Sequence, residues 1–518
     1  MADLPSLDLQ NLGACKHALA PPIGKNPPPI VTAVGGLFFP QSQSLGLDLG
    51  SFSPGLLRKI VYAGSNAPSF QRGHQDLLAL AEVQVPIKQV ERLTERIGQE
   101  RQEERDAAVA AYLARPLAQR EDPPPAVTPP PVAVVEMDGG RLQIRTQDDE
   151  ADTAETTPLP SVAAATAGSP TPAAEGSAPP GEATPPLSVA TATPGPAPPA
   201  AASSAAPTDP GKEPDRKAKS KHWREDKVGC LLAMTSVRSE IDPCPEIPTV
   251  FIDPLKALTL AQEIGQCPVP QGTPFQKAEP QEEEPTKEER QQRPGRPDIA
   301  QRRVVASRQD VHGFGPLLAA AAWAMGLFST ERRAFVADGL SENWSVYQRY
   351  FPRWTAVLDF VHALTYVYAA AMAGRTFGEG WPVYERWITW VWKGQVGRVL
   401  EELRVRQQEL GKPTKEDKDG SPRRVVQETL TYLSNHQDKM HYEEYRKQGL
   451  PLMSSHIEST IKQINYRVKG TEKFWREEGA EAILQLRADY LSDDEPLEGF
   501  WQRRQAGATG QRRYRRVA

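Results

Sequence analysis

A chain of 518 residues has room for two to four domains, but 50 prolines and a mean hydropathy of −0.52 exclude one packed core running from end to end. The formal net charge is −5 and the isoelectric point near 6.0, so the chain as a whole carries no basic signature, although such a sum hides sign differences between segments. The four cysteines, Cys15, Cys230, Cys244 and Cys267, form no Cys-x-x-Cys pair, so neither a disulfide framework nor a zinc ribbon is indicated, and a reducing, cytosolic compartment fits best. No basic segment followed by an apolar run opens the chain, so no signal peptide is expected. Pro316–Phe328 is too short to span a bilayer, and Trp354–Gly374 carries Asp359 and His362 inside it; both read as buried helices, and no membrane partner is expected.

Residues 1–50 form an N-terminal segment without a zinc ribbon, and 51–122 read as helices. Ser53-Pro54 is a helix start followed by the apolar positions Leu56, Leu57, Ile60 and Val61; Ser69 opens a second helix towards Leu77, Leu78 and Leu80. A third begins at Pro86, with Ile87, Val90, Leu93 and Ile97 inward and Lys88, Gln89, Arg92 and Arg96 outward. Short helices ending in one rich in Arg, Lys and Gln fit a helix-turn-helix; a plain helical bundle with a solvated charged face fits as well.

A Pro-rich joint, Pro123–Pro131, precedes the apolar run Val132–Met137, which stops at Asp138 before Gly139-Gly140; the alternation in Arg141–Arg145 then predicts a hairpin. Residues 132–146 and 222–267 read as two parts of one α/β core separated by a disordered Pro/Ala-rich insert at 147–221, because loop-closure entropy grows only slowly with length. Cys230–Val237 reads as a strand. A polar linker follows at 268–298, more core at 299–362, a helical block at 363–448, a core helix with a C-terminal helix at 449–502, and a basic tail at 503–518.

Three acids stand in settings that suit metal chemistry. Asp338 ends the run Ala334–Ala337 and precedes Gly339, repeating the apolar-strand-then-Asp-Gly pattern of Asp138. A buried strand delivers its last side chain to the sheet edge where α/β folds bind ligands, though for either site taken alone an ordinary Asp-Gly turn after a strand is the simpler explanation. Glu458 lies in a helical pattern in which Ile457, Ile461, Ile464 and Val468 share one face, while Glu458, Lys462, Asn465 and Lys469 share the next. Here the alternative is specific: Ser455-x-x-Glu458 is a capping box, in which the carboxylate only reaches back to a backbone N–H. Carboxylates brought together from two strand ends and a helix are the donor set that a pair of Mg²⁺ ions takes for phosphodiester chemistry, one ion activating water and one holding the leaving oxygen.

The motifs, taken in order, resemble bacterial insertion-sequence transposases of the ISKra type, members of the DDE group with an RNase H-like core and Mutator-like relatives. The matching text comprises Val135-Glu-Met-Asp138-Gly, Trp223-Arg-Glu-Asp-Lys-Val-Gly229, Gly313-Phe-Gly-Pro-Leu-Leu318, Phe335-Val-Ala-Asp338-Gly and Val357-Leu-Asp-Phe-Val-His362. It continues with Tyr432–Met440, Gly449-Leu-Pro-Leu-Met-Ser-Ser-His-Ile-Glu458-Ser, and Lys469–Leu484. The resemblance covers most of 30–145 and 222–502. It implies an RNase H-like catalytic core with an all-α insertion and a helix-turn-helix-like N-terminal domain. It also implies Asp138, Asp338 and Glu458 as ligands of Mg²⁺, with Mn²⁺ able to substitute, and Asp359-x-x-His362 as the accessory motif that supports the site. Without the family, His362 reads equally as a satisfied core histidine. Trp381, Trp387, Trp390 and Trp392 in the helical block read as core aromatics, with stacking on an unpaired base as the alternative.

The missing Cys-x-x-Cys departs from the family pattern and leaves the N-terminal helices as the expected reader of DNA ends. DNA contacts are expected of Lys88, Gln89, Arg92 and Arg96 there, and of Lys462, Arg467 and Lys469 on the Glu458 helix. Arg302, Arg303 and Arg308, and the arginines of the tail, are either phosphate contacts or solvated surface. The implied partner is double-stranded DNA, both transposon ends and target, bound by a homo-oligomer in the bacterial cytoplasm at the nucleoid. Two rivals share the fold: a domesticated DNA-binding regulator without transposition, and a structure-specific nuclease that cuts without joining.

Overall fold

Val132–Met137 has no solvent-facing position, a pattern that a strand shows only where both faces of its sheet are covered. A computed structural model of the chain accounts for it. The structure describes residues 52–144, 223–265, 267–273, 297–470 and 473–507, with the backbone of three short strands outside these ranges. The chain divides into two units, Met1–Arg145 with His222–Ala518, and Thr146–Lys221. The second unit, which contains the whole of the expected insert 147–221, lies outside the described residues, as do most of the linker 268–298 and the side chains of 1–50 and of the tail beyond 507.

Two short strands, β1 (Ile30–Val31) and β2 (Leu37–Phe38), pair antiparallel, and β2 pairs with a last strand, Gln511–Arg512. The main sheet is mixed and six-stranded. β3 (Val132–Ile144) pairs antiparallel with β4 (Trp223–Thr235), placing Glu136 opposite Cys230, Asp138 opposite Val228 and Gly140 opposite Asp226. β4 pairs antiparallel with β5 (Asp298–Ser307). On its other side β3 runs parallel to β6 (Arg332–Ala337), and β6 parallel to β7 (Thr355–Leu358). The order is β5-β4-β3-β6-β7, with β8 (Phe474–Trp475) added to the far end of β3.

Two expectations are corrected here. No hairpin forms at Asp138-Gly139-Gly140: pairing with β4 continues to Gln143 opposite Trp223 and keeps the glycines extended, so Asp138 lies within a strand of 13 residues. Trp354–Gly374 is not one buried helix but β7 followed by a helix, because the Asp359 side chain accepts the His362 N–H and starts the helix there. Among the described residues no helix is long and apolar enough to cross a membrane.

Helices cover the sheet. At the N-terminus α1 (Pro54–Asn66) and α2 (Phe70–Ala81) begin at Ser53 and Ser69, whose hydroxyls accept the N–H groups of Leu56 and Arg72. They precede α3 (Ile87–Leu113), of 27 residues. Leu57, Ile60, Val61, Leu77, Val90, Leu93 and Ile97 are buried as their spacing demands, whereas Leu78, Leu80 and Ile87 are exposed. The α4 (Thr249–Ile252) and α5 (Pro254–Glu263) helices follow β4. α6 (Val311–Ala324) sets Leu318 and Phe314 against Gly229 on one sheet face, and α7 (Ser341–Tyr350) follows β6. An all-helical stretch succeeds β7: α8 (Phe360–Met372), α9 (Phe377–Trp392), α10 (Val396–Leu410), α11 (Pro422–His436) and α12 (Tyr442–Lys447). Its tryptophans make contacts within the protein: Trp387 Nε1 donates to Glu402, Trp392 Nε1 to the Cys244 carbonyl, Trp381 stacks on Phe377, and Arg398 lies over Trp390.

α13 (Ser455–Val468) lies on the opposite face of the sheet, followed by α14 (Glu477–Tyr490), α15 (Pro496–Ala506) and β9 (Gln511–Arg512). The N-terminal helices do not stand apart: they share a core with Leu486, Leu497, Phe500 and Trp501 of α14 and α15. The Arg101 guanidinium binds Asp489 through two hydrogen bonds of 2.9 and 3.0 Å, both groups being buried. Where α3 crosses α14, a Cβ on Gly98 would stand 2.5 Å from the Ala482 carbonyl oxygen. Gly98→Ala is therefore expected to lose about 1–3 kcal/mol in denaturant unfolding, although alanine is by itself the better helix former.

Candidate active site

Strand register brings the expected acids together. Extending the parallel pairing of Glu136 with Val336 by two residues sets Asp138 beside Asp338, and extending that of Ala337 with Leu358 by one sets Asp338 beside Asp359. Three carboxylates thus lie side by side across the parallel strands, Asp138 midway along β3 and Asp338 and Asp359 just past the C-terminal ends of β6 and β7, at spacings of about 5 Å between strands. Glu136, Asp138 and Gly140 share one face of β3 by alternation, and α13 lies over that face and carries Glu458 in its first turn. His362 enters from the first turn of α8.

Each acid is held differently. Asp338 Oδ1 accepts the Leu340 N–H at 3.0 Å and Asn343 Nδ2 at 2.8 Å, which leaves Oδ2 without a hydrogen bond among the described residues. Asp138 Oδ1 accepts the Gly139 N–H at 2.7 Å. The capping box does not form: α13 has no side-chain cap, and the Glu458 carboxylate makes no hydrogen bond among the described residues.

The N-terminus of α13 is satisfied instead by two buried carboxylates. Glu136 Oε2 accepts the Ile457 N–H at 2.8 Å, and His456 Nδ1 lies 3.0 Å from Glu136 Oε1. Asp359 Oδ2 accepts both the N–H (2.5 Å) and the hydroxyl (2.6 Å) of Ser454, while its Oδ1 takes the His362 N–H at 2.9 Å. Both carboxylates are almost wholly buried. Anions at a helix N-terminus gain from its unpaired N–H groups and dipole, so the pair pins the turn that carries Glu458. Asp359 is accordingly a positioning residue with its oxygens already engaged. Glu136 escaped the sequence reading, although a lone acid inside an otherwise apolar run was the visible signal.

Electrostatics couples the group. Burial pushes Asp138 up to about 6, with the Asp338 and Glu458 charges adding to it against the Gly139 N–H and His362. Asp338 and Glu458 are also raised, by burial first. Burial alone would depress His362, but Asp359, with help from Asp338 and Asp138, lifts it to about 9. His362 Nδ1 is 3.3 Å from Asp359 Oδ1 and lacks hydrogen-bond alignment, so the attraction acts chiefly as charge. The same contact and the Ser454 bonds overcome burial and lower Asp359. His362 is therefore a cation at neutral pH among acids that repel one another.

A sign for stability follows. Because folding favours protonated Asp138, its contribution is present below pH ~4 and is lost as pH rises through about 6. In EDTA, Asp138→Asn should match the wild type at pH 4 and exceed it by about 2 kcal/mol at pH 7, partial solvent exposure reducing the full effect. Parallel urea titrations at the two pH values measure this; equal stability at pH 7 would contradict it.

Among the described residues, no three His, Cys, Asp or Glu side chains stand close enough to form a metal-ligand group. The donor chemistry still suits a hard cation, with free oxygens on Asp138, Asp338 and Glu458. Mg²⁺ takes only one or two carboxylates directly and keeps its remaining waters, so a closed cage of three is not required.

The expected DNA contacts divide. Lys88, Arg92 and Arg96 are exposed on α3, with Gln89 partly so; Lys88 pairs with Glu91 and Arg96 with Glu100. Lys462 and Lys469 are exposed on the Glu458 side of α13. Arg467 is corrected: it is 1% exposed, donates to the Gly64 carbonyl at 2.9 and 3.1 Å, and lies between Phe70 and Trp475. Helical rotation turns it inward to tie α13 to α1, and burial lowers it to about 9. A recess of 470 Å³ joins Lys88 and Arg92 to Lys473 and Arg476. Arg302, Arg303 and Arg308 pair with Asp493, Asp494 and Glu477 and form no free basic strip. No family model matches the chain, and no curated protein matches it in sequence.

Proposed function

We propose that the protein is a DDE-type DNA transposase with an RNase H-like core, cutting and joining DNA at insertion-sequence ends in the bacterial cytoplasm. The observation that carries this reading is the placement of Asp138 and Asp338 on adjacent parallel strands under the helix bearing Glu458. Three antiparallel strands followed by two parallel ones, in the order β5-β4-β3-β6-β7, and an all-helical stretch between β7 and α13 support the same reading.

Asp138, Asp338 and Glu458 are the residues that would hold divalent ions. Bound there, Mg²⁺ supplies an activated water and neutralises charge on the phosphate and leaving oxygen. Glu136 and Asp359 hold Glu458 in register with the two strand acids. His362, charged at neutral pH, offsets carboxylate repulsion and presents a cation to a phosphate at the same edge. Lys462 and Lys469 extend that positive strip along α13, and Lys88 and Arg92 add a second basic surface for the backbone. Because two ends must be cut together, a homo-oligomer assembled on DNA is part of the proposal.

The test incubates the full chain with Mg²⁺, DNA flanking its own coding sequence, and a target plasmid. Cleavage that frees 3′-OH ends, followed by joined products and loss of both with EDTA, is the expected result. Cutting without joining makes the protein a nuclease, and binding without cutting makes it a regulator; either outcome overturns the proposal.

A further inference from the structure

Asp226 is the only described acid with both carboxylate oxygens buried and no other residue donating a hydrogen bond to either. The residue is 1% exposed. It stands opposite Gly140 on the neighbouring strand, so it shares the sheet face of Asp138 and Glu136 and is the diagonal neighbour of Asp138. A Cβ at position 140 would lie 2.7 and 2.8 Å from its two oxygens, so the carboxylate occupies space that only glycine leaves over β3. Its sequence neighbour Lys227 is committed elsewhere, to Glu342 at 2.6 Å and Glu225 at 3.3 Å. Burial, with Asp138 adding to it, pushes Asp226 up to about 7 against its own backbone N–H and the charges of Lys469 and Lys227, neither of which hydrogen-bonds to it. A buried carboxylate with no donor beyond its own backbone is costly, and such groups mark sites where a ligand or its water supplies the missing partner.

We propose that Asp226 is a fourth carboxylate of the cation site, accepting hydrogen bonds from the water shell of the ion held by Asp138. The inference rests on the proposed metal site. Diagonal neighbours across an antiparallel pair are about 7–8 Å apart, which suits an acceptor acting through metal-bound water better than a direct ligand. Mg²⁺ retains several waters whose protons need acceptors, and two bare oxygens in a dry setting offer them. Asp226 is thus a positioning residue for the ion's waters.

The experiment titrates the full-length wild type, Asp226→Asn and Asp138→Asn with Mn²⁺ by calorimetry, without DNA. Asp226→Asn is expected to weaken binding ~10–100-fold while Asp138→Asn abolishes it. The thermal midpoint of metal-free Asp226→Asn should equal or exceed that of the wild type, since the shape is kept and a buried charge removed. Wild-type affinity in Asp226→Asn, beside lost binding in Asp138→Asn, overturns this inference and leaves the proposed function standing. Unchanged binding in Asp138→Asn refutes the metal site itself, and the inference with it. Should Asp226→Asn unfold, Asp226→Ser is read in the same way; a lowered metal-free midpoint in both makes Asp226 a structural acceptor and overturns the assignment.

Discussion

Asp138→Asn, Asp338→Asn and Glu458→Gln, made singly, are each expected to lower DNA cleavage and joining by ~10³-fold or more, because charge neutralisation by a bound ion is worth several kcal/mol in phosphoryl transfer. End binding should survive in all three, since phosphate contacts come from basic residues elsewhere, and that binding should weaken steeply with added salt. The three variants should also unfold no more easily than the wild type without metal. Burial raises all three acids, so their charges oppose folding at neutral pH. Full activity in any one variant would remove that residue from the site.

Asp359→Ala is expected to inactivate the protein with the opposite effect on stability. The substitution deletes the cap of α8, both bonds to Ser454 and the contact with His362. Breaking a buried charged contact typically costs about 3–5 kcal/mol, and a lost cap about 1 kcal/mol. Denaturant unfolding of Asp359→Ala beside Asp138→Asn therefore separates the two roles, one falling and the other holding or rising. His362 supplies a second reading. In the wild type its contribution is full below pH ~6.5 and is lost as pH rises through about 9. In Asp359→Ala the imidazole should titrate clearly lower by NMR in EDTA, and an unchanged titration would show that Asp359 does not hold the proton on His362.

The opposed effects reflect how unevenly the site was legible in the chain. Asp138 and Asp338 stood out because each follows an apolar run, and a strand's period is readable from a few residues. Glu458 carried a local rival, the capping box, which fails because the helix starts one residue earlier: Ser454, held by the Asp359 carboxylate from a distant element, is the N-cap, so Ser455 is already helical. The hairpin expected after Asp138 failed for a related reason: Gly139-Gly140 permits a turn, but pairing with β4 beyond the insert keeps the strand straight.

Local patterning by itself determined the helix starts at Ser53 and Ser69, the buried stripe of α3, the apolar runs of the strands and the types of the acids that follow those runs. Those features depend on neighbours a few positions apart, where capping, alternation and helical spacing act. Only the tertiary structure decided which polar groups are buried and with whom. Arg467 looks like one more base on an exposed stripe until Gly64, Phe70 and Trp475 close around it, and Asp226 reads as one charge in a polar run until Gly140 makes room for it on the face of Asp138. The cost of a buried charge depends on partners brought from distant strands and helices, and no window along the chain contains them.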